Sequence, residues 1–455
     1  MEKTNRDDIV LLFDYFNIGS QDLLASFQNA DFDVKAVTIN DDGFLPNGVE
    51  NIFEHFLGDY SKAKNCPHKP LYFNQIQVPK YWQISGNNTS GSVYDKSKER
   101  GRIFYAEPKN RRLVKVVDWI DENGKVRASD HYNKYGALYA RTIFNKKAQK
   151  VSKSYYDPSG KEVIVENFVT EDIILNIKGQ TLIFKNRTDF VVYYLKENGY
   201  QNKRIFFNSL SVPFFASNSL PAFEDGREDI LFWQEKPRDE IPGNMRMIFD
   251  GKATRCKRVI VQNHPSYERL RLLDAPETIM DELGYIYSFN KKNLGRPSAL
   301  ICTNTENVEK LKELAEALPH VRFHVAAITE MSDKLLSHEQ YGNVVMYPNI
   351  RMDMLESLFW ECDFYLDINH EGEIVDATRK AFLHNLLIMT FNETAHALSY
   401  TAVENRFEIS DYQVMAHRIK GLLEDKNKLN IAICSQQRYA LTANSEDYSK
   451  NFSVL

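Results

Sequence analysis

Between residues 71 and 169 the chain abandons helical periodicity for short alternating runs divided by turn clusters, and this stretch narrows the possible folds more than any other. RLVKVVDWI, KVRASDHYN, ALYARTIFN, VSKSYYD and KEVIVENF are separated by DENG, KYG, KKAQ and PSG, with turn signals at 122–124, 134–136 and 157–160. Turn chemistry recurring about every ten residues between alternating apolar positions specifies an antiparallel meander. Alternation puts Val114, Val116 and Trp119 on a core face and leaves Lys115 and Asp118 for water, as a sheet with one wet side requires. The 28 Phe and 24 Tyr suit an aromatic-packed β segment better than a base-stacking platform. A meander this long has edges that must be covered by the chain itself or paired with another chain. Both solutions remain open.

The flanks have a different rhythm. IVLLFDYF is a buried-type strand, SQDLLASFQNA a helix with Ser20 as its N-cap, and DFDVKAVTI a second strand. After the meander, DIILNI and TLIFKN read as strands of a returning α/β domain. RTDFVVYYLKENG is a helix ended by Gly199, and KRIFFNS a further strand. A Pro- and acid-rich stretch places a boundary near Asp250. From Arg255 the pattern is regular: RVIVQN, SALICTN, ENVEKLKELAEALP, VRFHVAAI, NVVMYP, DMLESLFWE and FYLDI alternate strand and helix. A loop, a helix over 374–383, the strand LLIM and two closing helices complete it. The expected fold class is α/β, a GT-B-like pair of Rossmann-type domains with an antiparallel β-meander inserted in the first. The expected domains are 1–70 with 170–250, the insertion 71–169, and 251–455.

Composition excludes several classes. A length of 455 residues with 43% hydrophobic and 26% charged residues supports an ordinary multi-domain core. A net charge of −5 provides no global attraction to nucleic acid or anionic membrane. Five scattered cysteines without C-x-x-C spacing point to a reducing cytoplasm and to no metal site. MEKTNRDDIVLLFDYF lacks the pattern of a signal peptide, and no window approaches a membrane span. Asp31-Phe32-Asp33 has D-x-D form but precedes its strand, where a solvated loop explains it better than a metal site. The basic run 109–112 reads as a solvated face, although it has the charge to touch acidic lipid or a partner.

Ligands in open α/β sheets bind beyond the carboxyl ends of the strands. Asn369, His370 and Glu371, following FYLDI, therefore stand where chemistry would occur. Asn369-His370-Glu371 is readable as a general-base pair or as a helix cap and groove lining. His264, after RVIVQN, reads as a helix start near the same cleft.

The second α/β half resembles the nucleotide-sugar domain of retaining GT-B glycosyltransferases of the glycogen-synthase type, in the order helix, LPHVRFHVAA, loop, NVVMYP, helix, ECDFYLDINHEGE. The meander GRIFYAEPKNRRLVKVVDWIDENGKVR…YYDPSGKEVIVENFVTEDIILN, with LLFDYFN, GFLP and LYFNQIQVPKYWQISG, resembles the family of partner subunits of the two-subunit enzymes that add N-acetylglucosamine to serine-rich repeat adhesins. That resemblance covers nearly the whole chain. It implies no cofactor, and a GtfA-type glycosyltransferase subunit as partner, contacted through the meander. It also implies a Ser/Thr-rich adhesin polypeptide as acceptor, and a cytoplasmic place, peripheral to the inner face of the membrane beside the accessory Sec translocase.

Active members of the wider family carry E-x7-E after the strand. Glu371 matches the first Glu, but the second position is Arg379, a donor-only cation that cannot accept from ribose hydroxyls. Glu373 puts negative charge where a phosphate-binding nest would be. Thr303 and Asn304 stand where Gly-Arg would neutralise the diphosphate, and the glycine-rich loop after the first strand is reduced to Gly19. The degenerate donor site thus comprises Glu371, Arg379, Thr303, Asn304 and Gly19. The candidate acceptor groove comprises Asn369, His370, Glu371, Glu373 and His264. An active transferase that keeps Glu371 working, and a scaffold that never touches acceptor, are the alternatives.

Overall fold

The computed structural model describes residues 8–64 and 66–453. The expectation for the extreme N-terminus, residues 1–7, lies outside them. The chain divides into two compact units, one running to Ile260 and including Leu270–Asp281, the other comprising Val261–Arg269 and Glu282–Asn451.

In the first unit, β1 (Ile9–Tyr15), β2 (Lys35–Asn40) and β3 (Val49–Asn51) are successive parallel neighbours. Ten antiparallel strands follow, β4 to β13: Gln83–Gly86, Ser90–Asp95, Lys98–Tyr105, Val114–Ile120, Val126–Tyr132, Leu138–Phe144, Lys150–Tyr156, Glu162–Asn167, Ile173–Ile177 and Gln180–Phe184. They pair strictly in chain order, so the sheet is a meander with β4 and β13 as its edges. The chain then returns through β14 (Arg204–Phe207), β15 (Asp229–Trp233), β16 (Cys256–Val261) and β17 (Met280–Glu282), giving a seven-stranded sheet in the order β17-β16-β15-β14-β1-β2-β3.

Several local expectations are corrected. Ile173–Ile177 and Gln180–Phe184, expected in the returning α/β domain, close the antiparallel sheet instead. Lys178 and Gly179 between them both have positive φ, 50° and 76°, the two-residue hairpin geometry that matches the twist of antiparallel strands. RVIVQN, expected to open the second domain, contributes β16 to the first sheet. Arg255, just before it, is fully buried and ion-paired to Asp229 of β15 at 3.0 Å, and the Asp229 N–H donates to the Arg255 carbonyl. On Val114–Ile120 the fully buried residues are Val114, Val117 and Ile120, with Val116 and Trp119 only half-buried, because bulges shift the register at Phe104/Tyr105 and Trp119/Ile120. The helix Ile18–Asn29 is capped by Asn17, whose side chain accepts from the Ser20 N–H, while the Ser20 hydroxyl turns back to the Tyr15 carbonyl.

The second unit holds β18 (Ser298–Cys302), β19 (Arg322–Ala326), β20 (Val344–Tyr347), β21 (Phe364–Asp367), β22 (Leu387–Phe391) and β23 (Arg406–Phe407) in one parallel sheet of order β20-β19-β18-β21-β22-β23. Both faces are covered: Ala299 and Ile301 enter one apolar cluster, Leu300 and Cys302 the other. That is why these strands read as unbroken apolar runs. The order reverses between β18 and β21, and the loops after those two strands therefore flank the crevice in which such sheets bind ligands.

Candidate functional site: a closed switch-point loop

Thr303 and Asn304 follow β18. Thr303 is fully buried, its N–H bonded to the Ala326 carbonyl and its hydroxyl to the Thr305 carbonyl at 2.9 Å. A hydroxyl spent on its own turn offers no cation to a diphosphate; Asn304, beside it, is exposed. The segment after them is stitched to the loop after β21. Val308 bridges Asn369, the His370 N–H donates to the Asn307 carbonyl at 2.9 Å, and the Glu309 N–H to the Ile368 carbonyl at 2.7 Å. Side chains reinforce the seam. His370 Nε2 lies 2.9 Å from Glu309 Oε2, and the Asn307 amide donates to Glu371 Oε1 at 3.3 Å. His370 is therefore engaged by a carboxylate. The buried Asn369 turns its amide to the His370 carbonyl at 3.3 Å.

Asp367 ends β21 only 1% exposed, and a carboxylate so placed requires partners. His396, from the loop between β22 and β23, supplies them. Its N–H donates to Asp367 Oδ2 at 2.8 Å, its Nδ1 to Oδ1 at 2.6 Å, and its Nε2 to the Glu371 carbonyl at 2.7 Å. The hydrogen bond to Asp367 pushes the imidazole up to about 9 against the opposing effect of burial, so it is an imidazolium at neutral pH. It also holds Glu371 in its left-handed conformation, φ 69°. Sequence reasoning missed His396. The available signal was the buried carboxylate at the end of FYLD, which demanded a donor without saying from where.

The helix after this loop was expected from Ile374 and begins at Ala377, because Val375 and Asp376 have φ of 48° and 56°. A β-branched residue there is strained and interrupts helical geometry. The Glu373 carboxylate accepts from the Thr378 N–H at 2.6 Å, in the first turn of the helix. One N–H of the helix's first turn is thus occupied by the protein's own carboxylate. Burial first, and then Glu373, push the neighbouring Asp376 carboxyl up, with Arg379 and Lys380 opposing. Arg379 lies half-buried on the helix.

The structure does not draw every expected residue into this constellation. His264 begins its helix, His264–Leu272, as expected, and its Nδ1 is paired with Glu282 Oε1 at 2.9 Å. Gly19 belongs to the other unit, inside the first turn of Ile18–Asn29, where the Gln234 amide donates to its carbonyl at 3.2 Å. Among the described residues no group of His, Cys, Asp and Glu has a metal-binding arrangement, and no helix is long and apolar enough to cross a membrane.

Two α/β sheets with switch-point loops, one unit carrying an inserted antiparallel sheet, define a GT-B-like glycosyltransferase fold. The chain shares that fold with the pneumococcal O-GlcNAc transferase GtfA solved with UDP and GlcNAc, at TM-score 0.52 and 14% identity over 97% of each chain. Family models match in sequence along it: the GtfB N-terminal domain at residues 10–56, the GtfB middle domain at 82–185, the GtfB third domain at 187–273 and the GftB/GlyA-F C-terminal domain at 299–436. It is 43% identical over 437 residues to the UDP-N-acetylglucosamine–peptide N-acetylglucosaminyltransferase stabilizing protein GtfB of Streptococcus agalactiae, covering 94% of this chain and 95% of that protein. A chain of the crystal structure of a GtfA/B complex bound to UDP and GlcNAc superposes at TM-score 0.91 with 39% identity, over 97% of this chain and 99% of that one. The chain belongs to the GtfB family.

Proposed function

We propose that this protein is the non-catalytic partner of a GtfA-type O-GlcNAc transferase, which it stabilises and to which it presents a Ser/Thr-rich adhesin polypeptide. The observation that carries the non-catalytic reading is the Glu373 carboxylate bonded to the Thr378 N–H. Repulsion between that carboxylate and an incoming diphosphate, on the order of a few kcal/mol at an effective dielectric near 20, opposes donor binding. Arg379, Thr303, Asn304 and Gly19 are the other lost donor contacts. The stabilising role is supported by the names of the relatives and by the GtfA/B complex.

The loop carrying Asn369, His370, Glu371 and Glu373 is the acceptor-side surface in this reading, and the antiparallel sheet is the docking element for the transferase. We place the protein in the cytoplasm, peripheral to the inner membrane face beside the accessory Sec translocase that exports the glycosylated adhesin. The domain division follows the sheets: a Rossmann-like domain in two segments around the inserted meander, then a second Rossmann-like domain. The test is co-expression with a GtfA-type transferase and a Ser/Thr-rich adhesin fragment. Glycosylation of the fragment should require both proteins, and the isolated chain should pull down the unmodified fragment. Capture of transferase but not of fragment would reduce the role to a scaffold; glycosylation by this chain alone would overturn the reading.

A further inference from the structure

The first unit contains a cavity of about 520 Å³ at the carboxyl ends of β1 and β2, walled on the other side by β9, β10 and β11 of the meander. It lies in a different unit from the loop after β21, and nothing in the proposed role uses it.

Its charges are unevenly partnered. Lys153 of β10 and Glu166 of β11 are direct cross-strand neighbours, the arrangement that ordinarily yields an ion pair. They do not form one, because Arg187 occupies Glu166, with Nε at 2.9 Å and Nη2 at 2.5 Å from Oε1. The Lys153 ammonium lies over the rings of Tyr155 and Tyr139, 4.7 and 5.9 Å from their centroids, and has no hydrogen bond or ion pair among the described residues. Tyr139, 2% exposed in the same wall, carries a hydroxyl with no hydrogen-bond partner. Asp41 and Glu54 do not supply the missing anion in full. Burial raises both carboxyls above their ordinary range, Asp41 to about 6 with Asp42 adding to it and Glu54 to about 8 with Asp41 adding to it. Burial lowers the Lys153 ammonium to about 8, with Glu166 and Asp41 opposing from a distance. Lys150 lines the cavity as a second cation, exposed to solvent.

Lys153 is half-buried and the buried Tyr139 hydroxyl has no partner, whereas buried polar groups in folded proteins are ordinarily paired by protein, water or ligand. We propose that this cavity is a binding site for a monosaccharide-sized ligand bearing one acidic group, phosphate or carboxylate, held by Lys153 and Lys150. The volume suits a single sugar. Tyr15, Phe53 and Phe168 offer apolar faces, and Glu171 offers an acceptor for sugar hydroxyls.

The test is calorimetric titration of the full chain with glucose 6-phosphate, glucuronate, inorganic phosphate and neutral glucose. At least one acidic sugar should bind ten times more tightly than glucose. Competition by inorganic phosphate identifies phosphate as the acidic group; binding of glucuronate alone identifies carboxylate. Lys153→Met should lose tenfold or more of that affinity while melting at or above the wild-type temperature. Lys150→Gln, which removes an exposed charge, should lose severalfold and serves should Lys153→Met fail to fold. Binding of glucose as tight as that of the acidic sugars, no binding of any probe, or unchanged affinity in either folded variant would overturn the proposal.

Discussion

At the level of single residues, His396 has the most consequence for the second unit. Its folded-state pKa is raised to about 9 by Asp367, above the ordinary histidine value near 6.5. The stability it contributes is therefore fully present below about pH 6.5 and is lost as pH rises through 9. At 12% side-chain exposure the contribution is on the order of 2 kcal/mol. Urea unfolding of wild type and His396→Gln at pH 6, 8 and 10 should show a difference that shrinks with rising pH; a constant difference would remove His396 from the charged state argued here. Glu373→Gln weakens the cap on Thr378 and should cost about 1 kcal/mol in the same assay. Arg379→Glu should not create sugar-nucleotide turnover, since Glu373, Thr303 and Asn304 stay as they are. The places of Glu371, Glu373 and Arg379 beyond a buried strand were legible from the strand pattern, whereas the donor-site roles given to them came from the family resemblance. His396 was not, because contact across a parallel sheet leaves no periodic trace.

Among the elements, the meander shows what turns reveal and what they hide. The turn glycines Gly124, Gly136 and Gly160 all take left-handed backbone, which is why the central hairpins were readable. The last hairpin was missed because Lys178-Gly179 is a weaker signal than Asn-Gly, and β16 because a run buried on both faces looks alike in either sheet. Gly43 anchors the inserted sheet to the segment after β2: its carbonyl accepts from the Lys134 N–H at 2.7 Å, and an added Cβ would lie 2.5 Å from the Tyr132 carbonyl oxygen. Gly43→Ala should lower unfolding stability by about 2–4 kcal/mol, strain at φ 85° and overlap combined. The edge strand β13 exposes Ile183, 68% accessible, beside unpaired backbone. Ile183→Lys should leave stability within about 0.5 kcal/mol and weaken the complex with the transferase at least tenfold. Undiminished binding would move the docking surface off that edge.

For the whole molecule, a fold can outlive the reaction it once served when its crevice is filled from within. The second unit's parallel sheet still brings its loops together at the switch point between β18 and β21, but Asn307 donating to Glu371 and Glu309 paired with His370 close those two loops on one another, and His396 ties the second of them to the loop after β22. The α/β class and the insertion follow from residue order; the seam between loops follows only from three-dimensional proximity. The decisive measurement is calorimetric titration of the isolated chain with UDP-N-acetylglucosamine, with a parallel assay for released UDP. No binding up to millimolar concentration and no UDP release are expected. Micromolar affinity, or turnover by this chain alone, would contradict a donor site closed by its own carboxylate.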